Sequence, residues 1–248
     1  MEFPKVDIVV LTKDSDRLLR ACLESVYANV PVNRLIVVDN NSKDMTLEIL
    51  SEFQRKHGNV LVIQDHGTRA TARARGIRAV DSEWFMFVDS DVVLCDGWFQ
   101  KANRYMQDDV GAIWGTEVWS TIRNPTMLKL FLRITRKIFD VRGGTHDTLV
   151  RFAAIKDIQI PSNLHVFEDA YIKEWIAKKG YRIIACYNPY CIHYRPLSVW
   201  TLKGSLGIVV DAFRFGSFKL VVRLVLPYSF YTAYSMYQLL SSNAKPRS

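Results

Sequence analysis

The sequence predicts an α/β fold built on a mostly parallel, doubly wound sheet. Over residues 1–90, short apolar runs alternate with segments of helical periodicity. The runs lack polar alternation, as expected of parallel strands buried on both faces. The chain has 248 residues, 49% of them hydrophobic and 23% charged, enough for one large domain with an appendage. That composition excludes a disordered chain, a collagen-like repeat and a multi-span membrane protein.

The elements follow in order. Val6–Leu11 is the first strand, and Asp14 or Ser15 is expected to cap a helix carrying Leu18, Leu19, Cys22, Leu23 and Val26. Leu35–Val38 is the second strand, followed by a helix with Leu47, Ile49, Leu50 and Phe53. Val60–Ile63, an Ala-rich helix near Thr71–Val80 and the strand Trp84–Val88 complete the alternating part. Further on, Glu168–Lys179 reads as a helix stopped by Gly180, with Tyr181–Cys186 as a strand after it.

In such a sheet ligands bind at the carboxyl ends of the strands. Those ends carry Thr12, Lys13 and Asp14; then Asp39, Asn40, Asn41, Ser42 and Asp44; then Gly67, Arg69, Arg73 and Arg75; then Asp89-Ser90-Asp91. The Gly-rich dinucleotide fingerprint and the phosphate-binding P-loop are both absent. Asp89 and Asp91, one residue apart beyond an apolar strand, suit Mg²⁺ or Mn²⁺, and such a cation neutralises a departing diphosphate. His193 offers a ring nitrogen to the same ion. Trp114 and Trp119 could stack on a sugar, although core packing is the simpler expectation. The four cysteines (Cys22, Cys95, Cys186, Cys191) have no zinc-like spacing and read as reduced thiols.

The 33 basic and 25 acidic residues leave a net charge of +8, which favours an anionic partner. Aromatic residues do not interleave with the basic ones, which argues against nucleic acid. Residues 127–139 instead place Lys129, Arg133, Arg136 and Lys137 largely opposite Met127, Leu128, Phe131, Ile134 and Ile138, as in an interfacial helix. Leu224–Ala244 carries no charge and is long enough to span a bilayer, while its tyrosines and Pro227 equally suit a partly interfacial helix. The expected division is therefore a domain over residues 1–196 and membrane-associated helices over 197–248. The amino terminus lacks the layout of a signal peptide.

Four motifs in order resemble family-2 glycosyltransferases of the GT-A fold. Leu35-Ile-Val-Val-Asp39-Asn-Asn-Ser-Lys-Asp44 is similar to their I-V-V-D-[DN]-x-S-x-D segment. Ala72-Arg73-Ala74-Arg75-Gly76 resembles A-R-N-x-G with Ala74 in place of Asn, Asp89-Ser90-Asp91 resembles D-x-D, and Phe167-Glu168-Asp169 resembles the late E-D motif. Arg214, between Asp211 and Phe215, resembles the arginine of Q-x-x-R-W in cellulose-synthase-like members. The resemblance implies a nucleotide-sugar site of Thr12, Asp14, Asp39, Asn41, Gly67, Arg69, Arg73, Asp89, Ser90 and Arg214. It further implies Mn²⁺ or Mg²⁺ on the D-x-D aspartates Asp89 and Asp91, with His193 as the ligand its ring nitrogen suits it to be, and a catalytic pair of Glu168 and Asp169 with Asp169 as general base.

The expected function is metal-dependent, inverting hexosyl transfer, with GDP-mannose as first donor and UDP-glucose as second. The expected acceptor is a membrane lipid-linked sugar, or alternatively polyprenyl (dolichyl) phosphate, the acceptor of the mannosyltransferases the chain resembles. The catalytic domain is expected on the cytoplasmic side of the cell membrane, against its anionic surface. A catalytically inactive nucleotide-sugar-binding membrane protein is the non-enzyme alternative.

Overall fold

The computed structural model describes residues 3–120, 126, 128–130, 133, 144–162, 164, 168–194, 210, 213 and 214. Strands β1 (Val6–Thr12), β2 (Val32–Asp39), β3 (Val60–Gln64) and β4 (Trp84–Asp89) alternate with helices α1 (Asp16–Asn29), α2 (Thr46–His57) and α3 (Arg69–Arg78). The chain continues through β5 (Val92–Leu94), α4 (Trp98–Asn103), β6 (Val110–Trp119), β7 (Asp147–Arg151), α5 (Glu168–Lys178) and β8 (Arg182–His193). All eight strands form one sheet in the order β3-β2-β1-β4-β7-β6-β8-β5. Strands β3, β2, β1 and β4 run parallel, β7 is antiparallel to both its neighbours, and β6 and β8 are again parallel.

The side-chain alternation of β1 divides the core between the two faces of this sheet. Val6, Ile8 and Val10 join Leu19, Leu23 and Val26 of α1 and Ile49, Leu50 and Phe53 of α2. Val9 joins Phe85, Phe87 and Ile77 of α3 on the other side. Burying the chain's aliphatic and aromatic side chains in this way is the main stabilising contribution, at about 1.5–3 kcal/mol for each large side chain. Chain order reverses between β1 and β4, which creates the topological switch point where ligands bind such sheets.

The structure departs from the sequence expectation in two places, the cap of α1 and the end of the last strand, and it agrees with the expectation of core packing at Trp114. The α1 amino terminus receives no side-chain cap from Ser15; the Asp44 carboxylate accepts the Asp16 N–H at 2.9 Å. A residue from the β2–α2 loop thus satisfies a donor that local reading assigned to Asp14 or Ser15. The last strand does not stop at Cys186 but continues to His193. Its register with β6 jumps from Trp114↔Ala185 to Thr116↔Tyr190, so Pro189 falls in the irregularity and costs no ladder hydrogen bond. Trp114 is buried and its indole N–H donates to the Gly144 carbonyl, which makes it a core residue.

All four cysteines are free and buried. Among the described residues no helix is long and apolar enough to cross a membrane. Most of residues 127–139 and 197–248, together with the Trp119 side chain and Phe167, lies outside what is described.

Candidate active site

The loops after β1 and β2 brace each other. Buried Asp39 accepts from the Thr12 hydroxyl at 2.8 Å and from the Ser42 N–H at 3.0 Å. Asp14 donates its N–H to Ser42 Oγ at 2.9 Å and accepts from the Lys43 N–H at 2.8 Å. Among the described residues, Asp14 (φ 47°) and Asn41 (φ 56°) are the non-glycine residues with positive φ. Asp and Asn tolerate this region best, and strain of this kind gathers at binding loops. Thr12 and Asp39 therefore form a rigid floor, with Asp14 and Asn41 exposed. Gly67 meets a different demand: a Cβ there would lie 2.1 Å from Thr71 Oγ1. Asn40 Nδ2 donates to the Gly67 carbonyl at 3.1 Å, tying this third loop to the second.

Arg73 of α3 is the hub. It is 2% exposed, and its NH2 donates to Asp89 Oδ1 at 2.8 Å and to the Thr145 hydroxyl. Its guanidinium sits 5.0 Å from the centroid of the Phe87 ring. Burial works to raise the Asp89 carboxyl, but the positive charge of Arg73, aided by His193 and His146, holds it well below the usual carboxylate range. Ser90 Oγ donates to Ser15 Oγ at 3.1 Å, joining the D-x-D turn to the amino end of α1.

Asp91 and His193 come together because β5 pairs with β8 directly beyond the D-x-D turn, with Val92 opposite His193. His193 Nε2 lies 3.0 Å from Asp91 Oδ1, and Nδ1 lies 2.8 Å from Glu117 Oε1. Burial disfavours the charged ring, but the Asp91 and Glu117 carboxylates outweigh it and push the imidazole up to about 10. Donor atoms of Asp89, Asp91 and His193 all lie within 4.8 Å of one another, close enough for one cation. Two carboxylates and an imidazole suit Mn²⁺ or Mg²⁺ with room for oxygens from a diphosphate.

Glu168 and Asp169 open α5, where the helix dipole favours negative charge. Glu168 is 4% exposed, and burial together with the neighbouring Asp169 charge pushes it up to about 7, against the pull of Arg73 and Arg69. Asp169 is half-buried and accepts from the Ala170 N–H at 2.6 Å. Arg69 and Arg214 are both exposed.

Sequence reasoning missed Glu117, Thr145, His146 and Asp147. Thr145 holds Arg73, and His146 lies 5.9 Å from His193 ring to ring. Asp147 is fully buried and accepts from the Trp98 indole N–H at 2.9 Å. The available signals were a charge inside an otherwise uncharged strand, at Glu117, and a polar run, Thr145-His146-Asp147-Thr148, leading into Leu149-Val150 of β7.

A switch-point crevice holding a D-x-D pair, a buried arginine and a helix-terminal carboxylate pair defines a GT-A-like glycosyltransferase. Residues 7–154 match the family described as Glycosyl transferase family 2, and the chain belongs to that family. The poly(ribitol-phosphate) beta-glucosyltransferase of Bacillus spizizenii is 34% identical over 93 residues, covering 35% of this chain and 15% of that relative. Among solved structures, the mannosyltransferase PcManGT of Pyrobaculum calidifontis, in complex with GDP-Man and Mn²⁺, is similar with a TM-score of 0.69 at 17% identity. That likeness covers 100% of this chain and 77% of PcManGT. S. aureus TarS 1-349 is similar with a TM-score of 0.63 at 20% identity, covering 98% of this chain and 76% of that one. A further TarS structure, in complex with UDP-GlcNAc, has a TM-score of 0.60 at 19% identity, covering 98% of this chain and 76% of that one.

Proposed function

We propose that the chain is an inverting, metal-dependent hexosyltransferase acting on a hydroxyl of a membrane lipid-linked sugar. The observation that carries this reading is the position of Arg73, whose NH2 holds Asp89 while its charge acts on Glu168. One buried cation thereby couples the D-x-D turn to the pair that opens α5. Asp91, His193 and the Asp89 oxygen not held by Arg73 are the donors for Mn²⁺ or Mg²⁺, which when bound supplies positive charge against a departing diphosphate. Thr12, Asp14, Asp39, Asn41 and Gly67 form the nucleotide end of the crevice, and Arg69 and Ser90 border it. Asp169 takes the acceptor proton as the acceptor oxygen bonds to the anomeric carbon and the bond to the diphosphate oxygen breaks. Arg214, exposed, serves the diphosphate, as the fork of an arginine allows.

Mannose from GDP-mannose is the first donor to test, in keeping with the ligand of PcManGT. UDP-glucose is the second reading, favoured by the 34% identity to a glucosyltransferase. The full chain is incubated with GDP- and UDP-sugars, Mn²⁺ or Mg²⁺ and lipid extract, and products are weighed by mass spectrometry. A hexose added to a lipid-linked glycan is the expected product. A hexosyl lipid phosphate would replace the acceptor reading, and no transfer from any donor would leave a nucleotide-sugar-binding protein.

The domain over 1–196 is held at the cytoplasmic face of the cell membrane by the basic stretch 127–139 and by residues 197–248. Exposed Leu130 beside exposed Lys129, and exposed Phe213 beside exposed Arg214, support that attachment. Removing residues 218–248 is expected to shift the protein from the membrane pellet to the supernatant with nucleotide binding retained. Complete retention in the pellet would move the anchor to residues 127–139.

A further inference from the structure

We propose that Glu117 is a positioning residue that fixes the tautomer and plane of the His193 ring, so that Nε2 presents its lone pair to a divalent cation shared with Asp91. This rests on the metal reading of the D-x-D cluster and names a residue outside every motif that led to it.

The geometry begins with the strands. His193 pairs with Val92 on one side and Trp119 on the other, and its carbonyl accepts from the Ser120 N–H at 3.1 Å. Tyr194 N–H donates to the Asp91 carbonyl at 3.0 Å, so the backbones of the two proposed ligands are stitched together. Glu117 precedes Trp119 by two residues and so projects from the same face of β6. From there its Oε1 reaches Nδ1 at 2.8 Å, while the ring itself is 1% exposed.

The two sides of the ring differ in kind. At Nδ1 the contact is a hydrogen bond, with Nδ1–H donating to a carboxylate. At Nε2 the Asp91 oxygen stands 3.0 Å away in ion-pair contact, and among the described residues the buried nitrogen has no partner that meets hydrogen-bond geometry. Two donors on adjacent corners of an octahedron, each about 2.1 Å from the ion, stand about 3.0 Å apart. The spacing is an ordinary ion-pair distance and is equally the separation that two ligands of one cation would have. A carboxylate, imidazole and metal in line is a recurrent arrangement, and losing the outer carboxylate typically weakens metal binding by about 10–100-fold. Glu117 is also the single charged residue of Val110–Trp119, in a strand where an apolar side chain would avoid the desolvation cost.

The test titrates the full chain with Mn²⁺ alone at one fixed pH and reads free Mn²⁺ by electron paramagnetic resonance. Glu117→Leu is expected to weaken binding about 10–100-fold. Glu117→Gln, whose amide oxygen still accepts from Nδ1–H, should stay close to wild type. Unweakened binding in Glu117→Leu overturns the proposal, as does equal weakening in both variants, because the accepting oxygen would then not matter. A wild-type chain that binds no Mn²⁺ overturns the metal reading itself and this inference with it. Should Glu117→Leu fail to fold, ¹⁵N spectra of the imidazoles in the Mg²⁺-loaded wild type decide. A proton on Nδ1 of His193 supports the proposal, and a proton on Nε2 defeats it.

Discussion

Two aspartates sit at opposite ends of the neighbouring strands β1 and β4, and their surroundings differ in completeness. Asp7, at the amino end of β1, is fully buried with both oxygens engaged. Asn33 Nδ2 at 2.8 Å and Arg34 NH2 at 2.9 Å donate to it, and so do the backbone N–H groups of Asp81 and Ser82 at 2.8 and 3.3 Å. Asp89, at the carboxyl end of β4, is held by Arg73, but buried atoms around it are left over. Among the described residues, Arg73 Nε and NH1, Glu168 Oε2 and His193 Nε2 have no hydrogen-bond partner. Native structures rarely bury polar atoms without partners. A closed network belongs to folding, whereas an open one marks where a ligand supplies the missing bonds.

The largest expected effect breaks chemistry without touching the fold. Asp169→Asn keeps the shape of the side chain but cannot take the acceptor proton. Turnover should fall by about 10²–10⁴-fold while nucleotide affinity, measured by calorimetry, barely moves. Near-normal turnover would instead favour a lipid phosphate, which is already an anion and needs no base.

The converse experiment is made at the closed end. Asp7→Ala strands Arg34 and two backbone donors and should cost about 3 kcal/mol, the low end for a broken buried pair because Arg34 is partly exposed. That corresponds to a melting temperature lower by roughly 6–12 °C. Turnover per folded molecule should be unchanged. Burial opposes ionisation of Asp7, but Arg34 and the other donors hold its carboxyl below the ordinary range. Its contribution is therefore full above that range and lost as pH falls through it, so the variant and wild type should converge in acid. A large loss of activity in the folded variant would contradict the division between the two ends.

How much of this was legible in the sequence follows the same division between local and remote information. The strands and helices through Asp89, and D-x-D at a strand end, were readable because periodicity and position lie within a few residues of one another. The partners of the buried charges were not. Glu117 meets His193 across 76 positions through the pairing of β6 with β8, and Arg73 meets Thr145 across 72 because β7 pairs with β4 beside Asp89. The same holds for Asp44 capping α1 across 28 positions. Asn188-Pro189 reads as a strand breaker, which hid the continuation of β8 to His193, where the proposed metal ligand stands.

A smaller effect concerns the cation. Asp91→Ala removes one of three clustered donors and should abolish the Mn²⁺-dependent rise in melting temperature caused by a nucleoside diphosphate. For wild type at a hundredfold excess over Kd the stabilisation is about 2.7 kcal/mol. A full metal-dependent shift in Asp91→Ala would remove the D-x-D turn from the metal site.

The smallest effect sharpens the comparison most, because it asks whether the open end costs the fold anything. Glu168 is raised to about 7, first by burial and then by Asp169. The unfolded chain releases this proton in the ordinary glutamate range, whereas the folded chain keeps it until about neutrality. Between those points the folded state binds more protons, so stability falls as pH rises through the window and stays lower above it. Glu168→Gln cannot ionise and escapes that loss. The variant should therefore melt a few degrees above wild type at pH 8 and level with it at pH 4.5, by differential scanning calorimetry. Equal melting at both values would mean that Arg73 and Arg69 already compensate the Glu168 carboxylate. In that event the carboxyl end of the sheet would be closed in the same sense as Asp7, and its unpartnered atoms would no longer mark a place for a ligand.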